Sequence, residues 1–293
     1  MVNRNHHPSL SWNHLLTSGG RKTSPDTSEI LRQIAGIVYD GGHEAIYDLG
    51  TALVQIRLAA DGSLRLRADA KHLTTDLAAL HASSQLPGNV RFAHDKRGRA
   101  VVADTQINGA AHLPRTLQWL GDGMRQALDA DGPAASPGNS AVIEKRDVAQ
   151  ALAQMPWAAD GVVGQDDGWE LRPRLRGDAV PVRLVLDGSC LSVARIVLPL
   201  PDPATPAAEA VANQAIRFND QLRHARLVAR DGRLVAETRL HGGLIESGWL
   251  SQAAYAVAQA GCHVATPLRI LSEQTQVAEK YIAVFCSTLE QPA

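Results

Sequence analysis

The sequence predicts an α+β chain of two tandem units, each in the order helix, three strands, helix, two strands, helix, with an antiparallel sheet packed by helices. Three observations predict it. Asp-Gly pairs stand between runs of alternating apolar and polar residues, a strong hairpin signal. Runs with the apolar spacing of a helix alternate with those hairpins. The same order then occurs a second time, with some of the same residues.

Residues 1–27 are rich in Asn, His, Ser, Thr and Gly without a period, which predicts a disordered arm. Ser28 caps a predicted helix carrying Ile30, Ile34, Ile37 and Val38 on one face, which Gly41-Gly42 stops. A strand over Ala45–Leu49 leads into a hairpin, Leu53–Leu58 and Leu64–Ala68, around Asp61-Gly62. In it Ile56, Leu58, Leu64 and Leu66 point one way, and Arg57, Arg65 and Arg67 the other. A short helix at about 75–85 ends before Pro87. A second hairpin runs from Val90 to Ile107, and a helix over about 113–129 carries Leu113, Leu117, Leu120, Met124 and Leu128.

The Pro, Gly and Ser content that follows marks a linker. The predicted division is an arm at 1–27, a first unit at 28–130, a linker at 131–141 and a second unit at 142–293. The second unit repeats the order. It has a helix at about 146–155, a strand Trp169–Leu175, and a hairpin Val180–Leu186 and Cys190–Leu198 around Asp187-Gly188. A helix to about 222, a hairpin around Asp231-Gly232 and a helix at about 246–260 follow, and the apolar run Tyr281–Phe285 suggests an extra strand. Residues repeat as well. Ile56–Ser63 matches Val182–Ser189, Ala103-Asp104-Thr105-Gln106-Ile107 matches Ala236-Glu237-Thr238-Arg239-Leu240, and Arg91 stands where Arg226 stands.

Composition excludes several classes. A net charge of −1 gives no electrostatic footprint for nucleic acid or a membrane surface. No apolar run approaches the roughly 20 residues of a membrane span. Cys190, Cys262 and Cys286 stand far apart with no CxxC, which predicts a reducing compartment, the cytoplasm. The N-terminus shows no hydrophobic signal core.

No catalytic constellation emerges. Gly-x-Ser-x-Gly, His-Glu-x-x-His, GxGxxG and a phosphate loop are all absent. The eleven histidines are scattered, many at expected turns such as His72, His112 and His241, and Cys262-His263 reads as the end of a helix. Asp160, Asp166 and Asp167 lie near glycines without the spacing of a calcium loop and read as a turn before Trp169. The expectation is no enzyme, no metal and no cofactor. The arginines carry more. Arg57, Arg65 and Arg67 share one hairpin face, Arg183 takes the matching outward place in the second unit, and Arg195 lies on its return strand. A small antiparallel sheet is covered well on one face only, so these five are the candidate partner-binding residues, for an acidic or extended segment.

The element order, together with Arg226–Leu240 around its Asp-Gly turn and the amphipathic Ile245–Val257, resembles the class I type III secretion chaperones (the Tir-chaperone family). The resemblance implies a bacterial, non-enzymatic protein that binds effector segments, whose chains wrap around the sheets in extended form. Members of that family are small homodimers. Two units in one chain would then form an internal pseudo-dimer, sufficient as a monomer, or a homodimer would form. The leading expectation is therefore a chaperone-like or adaptor protein with a polypeptide partner. The alternatives are a small-molecule binder or enzyme with a site between the units, using Asp166, Asp167, His224 and His241, and a structural subunit that stacks its sheets on other copies.

Overall fold

The computed structural model describes residues 37–40, 44–49, 52–58, 63–69, 75–86, 88–94, 101–108, 113–128, 142–155, 157, 162–165, 168–187, 190–241 and 245–286. Within these the chain is α+β, with two six-stranded antiparallel sheets. The first sheet holds β1 (Ile37–Asp40), β2 (Glu44–Asp48), β3 (Leu53–Leu58), β4 (Ser63–Asp69), β5 (Arg91–His94) and β6 (Val101–Asn108) in the order β1-β2-β3-β4-β6-β5. The second holds β7 (Val162–Gln165), β8 (Gly168–Leu171), β11 (Val182–Asp187), β12 (Cys190–Pro199), β13 (Arg226–Arg230) and β14 (Arg233–His241) in the order β7-β8-β11-β12-β14-β13. The two orders correspond strand for strand. A two-stranded ribbon, β9 (Arg174–Leu175) and β10 (Asp178–Ala179), is inserted before β11.

The hairpins form for the reasons the sequence suggests. Ala45, Val54, Ile56, Leu64, Leu66 and Ala68 are buried on one face of the first sheet, with Leu113, Leu117 and Leu120 of α2 (Leu113–Leu128) in the same core. Arg57 pairs with Arg65 across β3 and β4 on the opposite face. At the β13–β14 turn Arg230 pairs with Arg233, leaving Asp231 (φ 50°) and Gly232 (φ 67°) as the loop, both left-handed as a tight twisted hairpin requires. In β8 a glycine is compulsory, because a Cβ on Gly168 would lie 2.0 Å from the Leu184 carbonyl oxygen of β11.

The helices are capped by their sequences. Thr75 accepts from the Ala78 N–H at 3.1 Å to start α1 (Asp76–Gln85). After α3 (Lys145–Ala153), Thr205 accepts from the Ala208 N–H at 3.4 Å, ahead of Pro206 at the first position of α4 (Pro206–Gln221). α5 (Ser247–Glu273) packs on β12 and β14, and α6 (Thr275–Phe285) packs on α4. Among the described residues no helix is long and apolar enough to cross a membrane.

Five expectations are corrected. Ile37 and Val38 belong to strand β1, not to a helix: Ile37 pairs with Tyr47 and Tyr39 with Ile46, and β-branched and aromatic residues suit that half-buried sheet. Val162–Gln165 is strand β7 on the free side of β8, so four strands of the main sheet rather than three precede the middle helix in each half, with the β9–β10 ribbon additional in the second. Trp169–Leu175 is not one strand, since β8 stops at Leu171 and the ribbon begins at Arg174. α5 runs on to Glu273, because Val264, Leu268 and Leu271 continue its buried stripe, which places Cys262-His263 inside the helix. Tyr281–Phe285 is helical, with Ala278 buried and Tyr281 and Ile282 half-buried against the core. The arm, the start of the first predicted helix and the linker lie outside the described residues.

Candidate functional site

The five predicted arginines separate into three environments. Arg57 is exposed and pairs with Glu44 at 3.5 Å, while Gln55 donates to the same carboxylate. Arg183 is exposed at the corresponding place on β11, opposite Glu170 on β8 and Ala194 on β12. Arg65 and Arg67 are not open to a partner. Both bind Asp220 near the end of α4: Arg65 donates to its Oδ1 at 2.8 Å and its carbonyl at 3.0 Å, and Arg67 donates to Oδ1. Arg195 leaves the set altogether. It lies on the α5 side of its sheet, with its stem against Gly261, where a Cβ would sit 2.6 Å from Cδ, and its guanidinium reaches the Pro181 carbonyl at 3.4 Å.

Arg65 and Arg67 belong to a seam between the two sheets. α1 packs against β13, α4 packs against β5, and α1 packs against α4. Neither helix has a basic residue in its own last turn. A helix C-terminus presents unsatisfied carbonyls and the negative end of the dipole, so cations are favoured there. Here the cations come from the opposite sheet in both cases. Arg91 of β5 donates to the Asn219 carbonyl at 2.7 Å and to the Leu222 carbonyl at the end of α4. Arg226 of β13 donates to the Leu86 carbonyl at 2.9 Å, at the end of α1, and to that of Val90. Arg91 and Arg226 are the duplicated pair seen in the sequence, and both are buried.

At the second-sheet end of the seam the arginines surround a buried carboxylate. Arg226 Nη2 and Nε approach Glu237 Oε1 at 2.6 and 3.0 Å, Arg230 lies 2.9 Å from Oε2, and Arg239 lies 3.5 Å from Oε1. Burial pushes the Glu237 carboxyl up, but the combined fields of Arg226, Arg239 and Arg230 outweigh it and hold the group below its ordinary 4.5. Burial pulls the Arg226 guanidinium down to about 10, against the attraction of Glu237, so it stays charged at neutral pH. Arg230 also reaches the Ser84 carbonyl at 3.4 Å.

The centre of the seam is held by neutral groups. Asn219 donates to the carbonyls of Phe92 and Leu227, both at 3.0 Å, and accepts from the Leu227 N–H at 2.7 Å. On α1, Ser83 accepts from the Phe92 N–H at 2.9 Å. His241 closes one flank. It is a buried strand residue rather than a turn histidine, its Nε2 accepts from the Gly88 N–H at 3.0 Å, and its ring lies 4.5 Å from that of Trp119. On the other flank Asp76 binds His94 and Asn213, each at 2.8 Å, and the Tyr281 hydroxyl lies 2.8 Å from both Asn213 Oδ1 and Gln214 Oε1.

Beyond the seam, the outer flank of each sheet carries mixed chemistry. On the first sheet Leu53 (59% exposed) lies in line with Gln55 and Arg57. On the second, Ile196 (52% exposed) shares the face of Arg183 and Ala194. Of the quartet considered for a small-molecule site, Asp166 and Asp167 lie outside the described residues, and His241 is taken up in packing. An open cleft of about 460 Å³ lies elsewhere, between the start of α4 and α6, with Thr205, Glu209, Glu279 and Ile282 on its walls. Among the described residues no group of three His, Cys, Asp or Glu is placed to hold a metal ion. Asp220 and Glu237 were not singled out as seam residues, whereas His241, considered for a site between the units, does lie at the seam, in packing. The sequence signal for Glu237 was its match to Asp104 beside the matched Arg91 and Arg226.

The fold and seam define a class, an α+β chain of two matched antiparallel sheets joined through paired helices. No protein-family model matches the chain, and no curated protein matches it.

Proposed function

We propose that the chain is a non-catalytic chaperone-like or adaptor protein, built as an internal pseudo-dimer of two tandem units, that holds a partner polypeptide. The observation that carries the reading is the reciprocal capping of α1 and α4 by Arg226 and Arg91 across two sheets of the same strand order. Such a seam consumes the middle helices and one part of each polar sheet face. The flanks bearing Glu44, Leu53 and Arg57 on one side, and Glu170, Arg183 and Ile196 on the other, stay exposed or half-exposed. They offer charge and apolar surface together, which suits an extended segment with acidic and apolar residues. The resemblance to type III secretion chaperones fits this arrangement and makes a bacterial effector-like chain the partner to look for.

The test is affinity capture from a native lysate of a source cell with the wild-type chain and with the double variant Arg57→Glu, Arg183→Glu. The reading expects a protein held by the wild type and released from the variant, with both baits equally folded. Recovery of the same protein by both baits, or of none above control, contradicts it. The thermal-shift response to metabolites checks the small-molecule alternative, because a ligand that binds the native state raises its stability with concentration.

A further inference from the structure

The β9–β10 ribbon carries the β8–β11 hairpin beyond the sheet without a change of register. Glu170 pairs with Arg183 and Leu171 with Val182; then the Val180 N–H donates to the Pro173 carbonyl at 2.9 Å, Arg174 pairs with Ala179, and Leu175 with Asp178. Pro173 and Pro181 have no N–H for the ladder, which sets the ribbon apart from the sheet. Alternation continues through it. Leu171 and Pro173 are buried and Leu175 half-buried, while Arg172, Arg174 and Arg176 are exposed. These arginines therefore follow Glu170 along the face that carries Arg183 and Ile196, with about 6–7 Å between successive strand positions. Asp178 pairs with Leu175 and takes the opposite face. The first half differs on this face. Its Glu44 pairs with Arg57 as Glu170 pairs with Arg183, but Ile46 and Asp48 come next, and Asp48 lies opposite Leu53.

The tip of the ribbon is a second, independent observation. Arg176 (φ 52°) and Gly177 (φ 97°) form its two-residue loop. Positive φ at the first loop position suits Gly, Asn or Asp, and other residues incur a steric cost. The β13–β14 loop uses Asp231 there, and among the described residues Arg176 and Asp231 are the two non-glycines of positive φ. An arginine held against its backbone preference points to a role for its side chain. The tip stands clear, since a Cβ on Gly177 would meet nothing within 4 Å. Arg172 donates to Glu170 Oε1 at 2.7 Å, whereas Arg174 and Arg176 have no hydrogen bond or ion pair among the described residues.

We infer that this file of arginines is a docking surface for an acidic stretch of the partner polypeptide, extended and with a carboxylate at every second residue. Residues two apart on an extended chain share a face and repeat at the spacing of the file. The planar guanidinium fork suits carboxylates, and the Glu170–Arg172 contact is one such pair already made. Ile196 on the same face and a chain net charge of −1 favour a polypeptide over nucleic acid, which needs a broader basic footprint. The inference rests on the partner-binding reading and deepens it, placing the acidic part of the partner on the second half and leaving the Ile46 and Leu53 flank for an apolar part.

The test titrates the full chain at low salt with a fluorescein-labelled peptide of alternating Glu and Thr, read by anisotropy, against the double variant Arg174→Ser, Arg176→Asn. Asn suits the left-handed loop position, so the ribbon keeps its fold, and Arg176→Asn alone should raise the Tm by about 2 °C. The double variant is expected to bind the peptide about five- to tenfold more weakly, and added salt to weaken the wild type. A peptide with the same number of Glu at every third position turns alternate carboxylates away and should bind less well. Equal binding by the double variant, equal binding of the two peptides, oligothymidylate bound as tightly as the alternating peptide, or a Tm lowered by Arg176→Asn overturns the inference. The peptide titration needs no natural partner. A wild type that captures nothing from the lysate contradicts the partner-binding reading, whereas a captured partner held equally by the double variant contradicts this inference and leaves that reading standing.

Discussion

Replacing Glu237 by Gln tests whether the buried ion cluster carries the seam. Glu237 and Arg226 are fully buried, and the shortest contact between them is 2.6 Å. Glutamine keeps the shape but removes the charge, so the buried Arg226 and the nearby Arg230 and Arg239 would surround a neutral amide. Removing one partner of a buried pair costs about 3–5 kcal/mol, because the other charge is left uncompensated. Arg226 would keep the Leu86 and Val90 carbonyls, which offsets part of the loss, so the lower end, about 3 kcal/mol, is expected. Urea unfolding followed by tryptophan fluorescence and circular dichroism measures it. In a cycle with Arg226→Met, the double variant should lose less than the sum of the singles. A Glu237→Gln loss under about 0.5 kcal/mol, the range of an ordinary surface change, would refute the cluster.

Further outcomes follow from the same geometry. Glu237 is held below its ordinary 4.5, so its contribution is present above that pH and disappears as pH falls through the lower folded value. An acid titration of stability should show this limb in the wild type and a shallower one in Glu237→Gln. Gly168→Ala should cost about 3 kcal/mol or more in thermal unfolding, since the added Cβ meets a backbone oxygen that cannot rotate away. The Cys286 thiol is pushed up by burial to about 11, and Cys262 is exposed, so iodoacetamide at pH 8 should label Cys262 well before Cys286.

Much of the sheet framework was legible because hairpins announce themselves locally. Asp231-Gly232 adopts the left-handed pair its residues favour, and Arg57, Arg65 and Arg67 do share a face. The edge strands β1 and β7 were not legible, although β5 and β13 at the opposite edges were. Ile37 and Val38 fit a helical stripe with Ile30 and Ile34 as well as they fit a strand, and only pairing with β2 decides. The length of α5 was not legible, since Gly261 and Pro267, residue types that disfavour a helix interior, both lie inside it, and Gly261 leaves room for the Arg195 stem. The seam was hidden for a deeper reason. Hairpin alternation says which face a residue takes, not what will cover that face. Arg65 and Arg67 looked solvent-facing because Asp220 lies more than 150 residues away in the chain. The duplicated Arg91 and Arg226 were visible as a repeat, but burial of an arginine depends on partners that no local pattern displays.

A partner polypeptide is expected along the exposed flanks that carry Leu53 and Ile196. A photo-reactive residue placed at Leu53, at Ile196 and, as a control, at exposed Ile270 on α5 would report it in the intact chain. Adducts to one polypeptide are expected from positions 53 and 196 and none from position 270. Adducts from position 270 alone, or from none of the three in cells that make the partner, would contradict it.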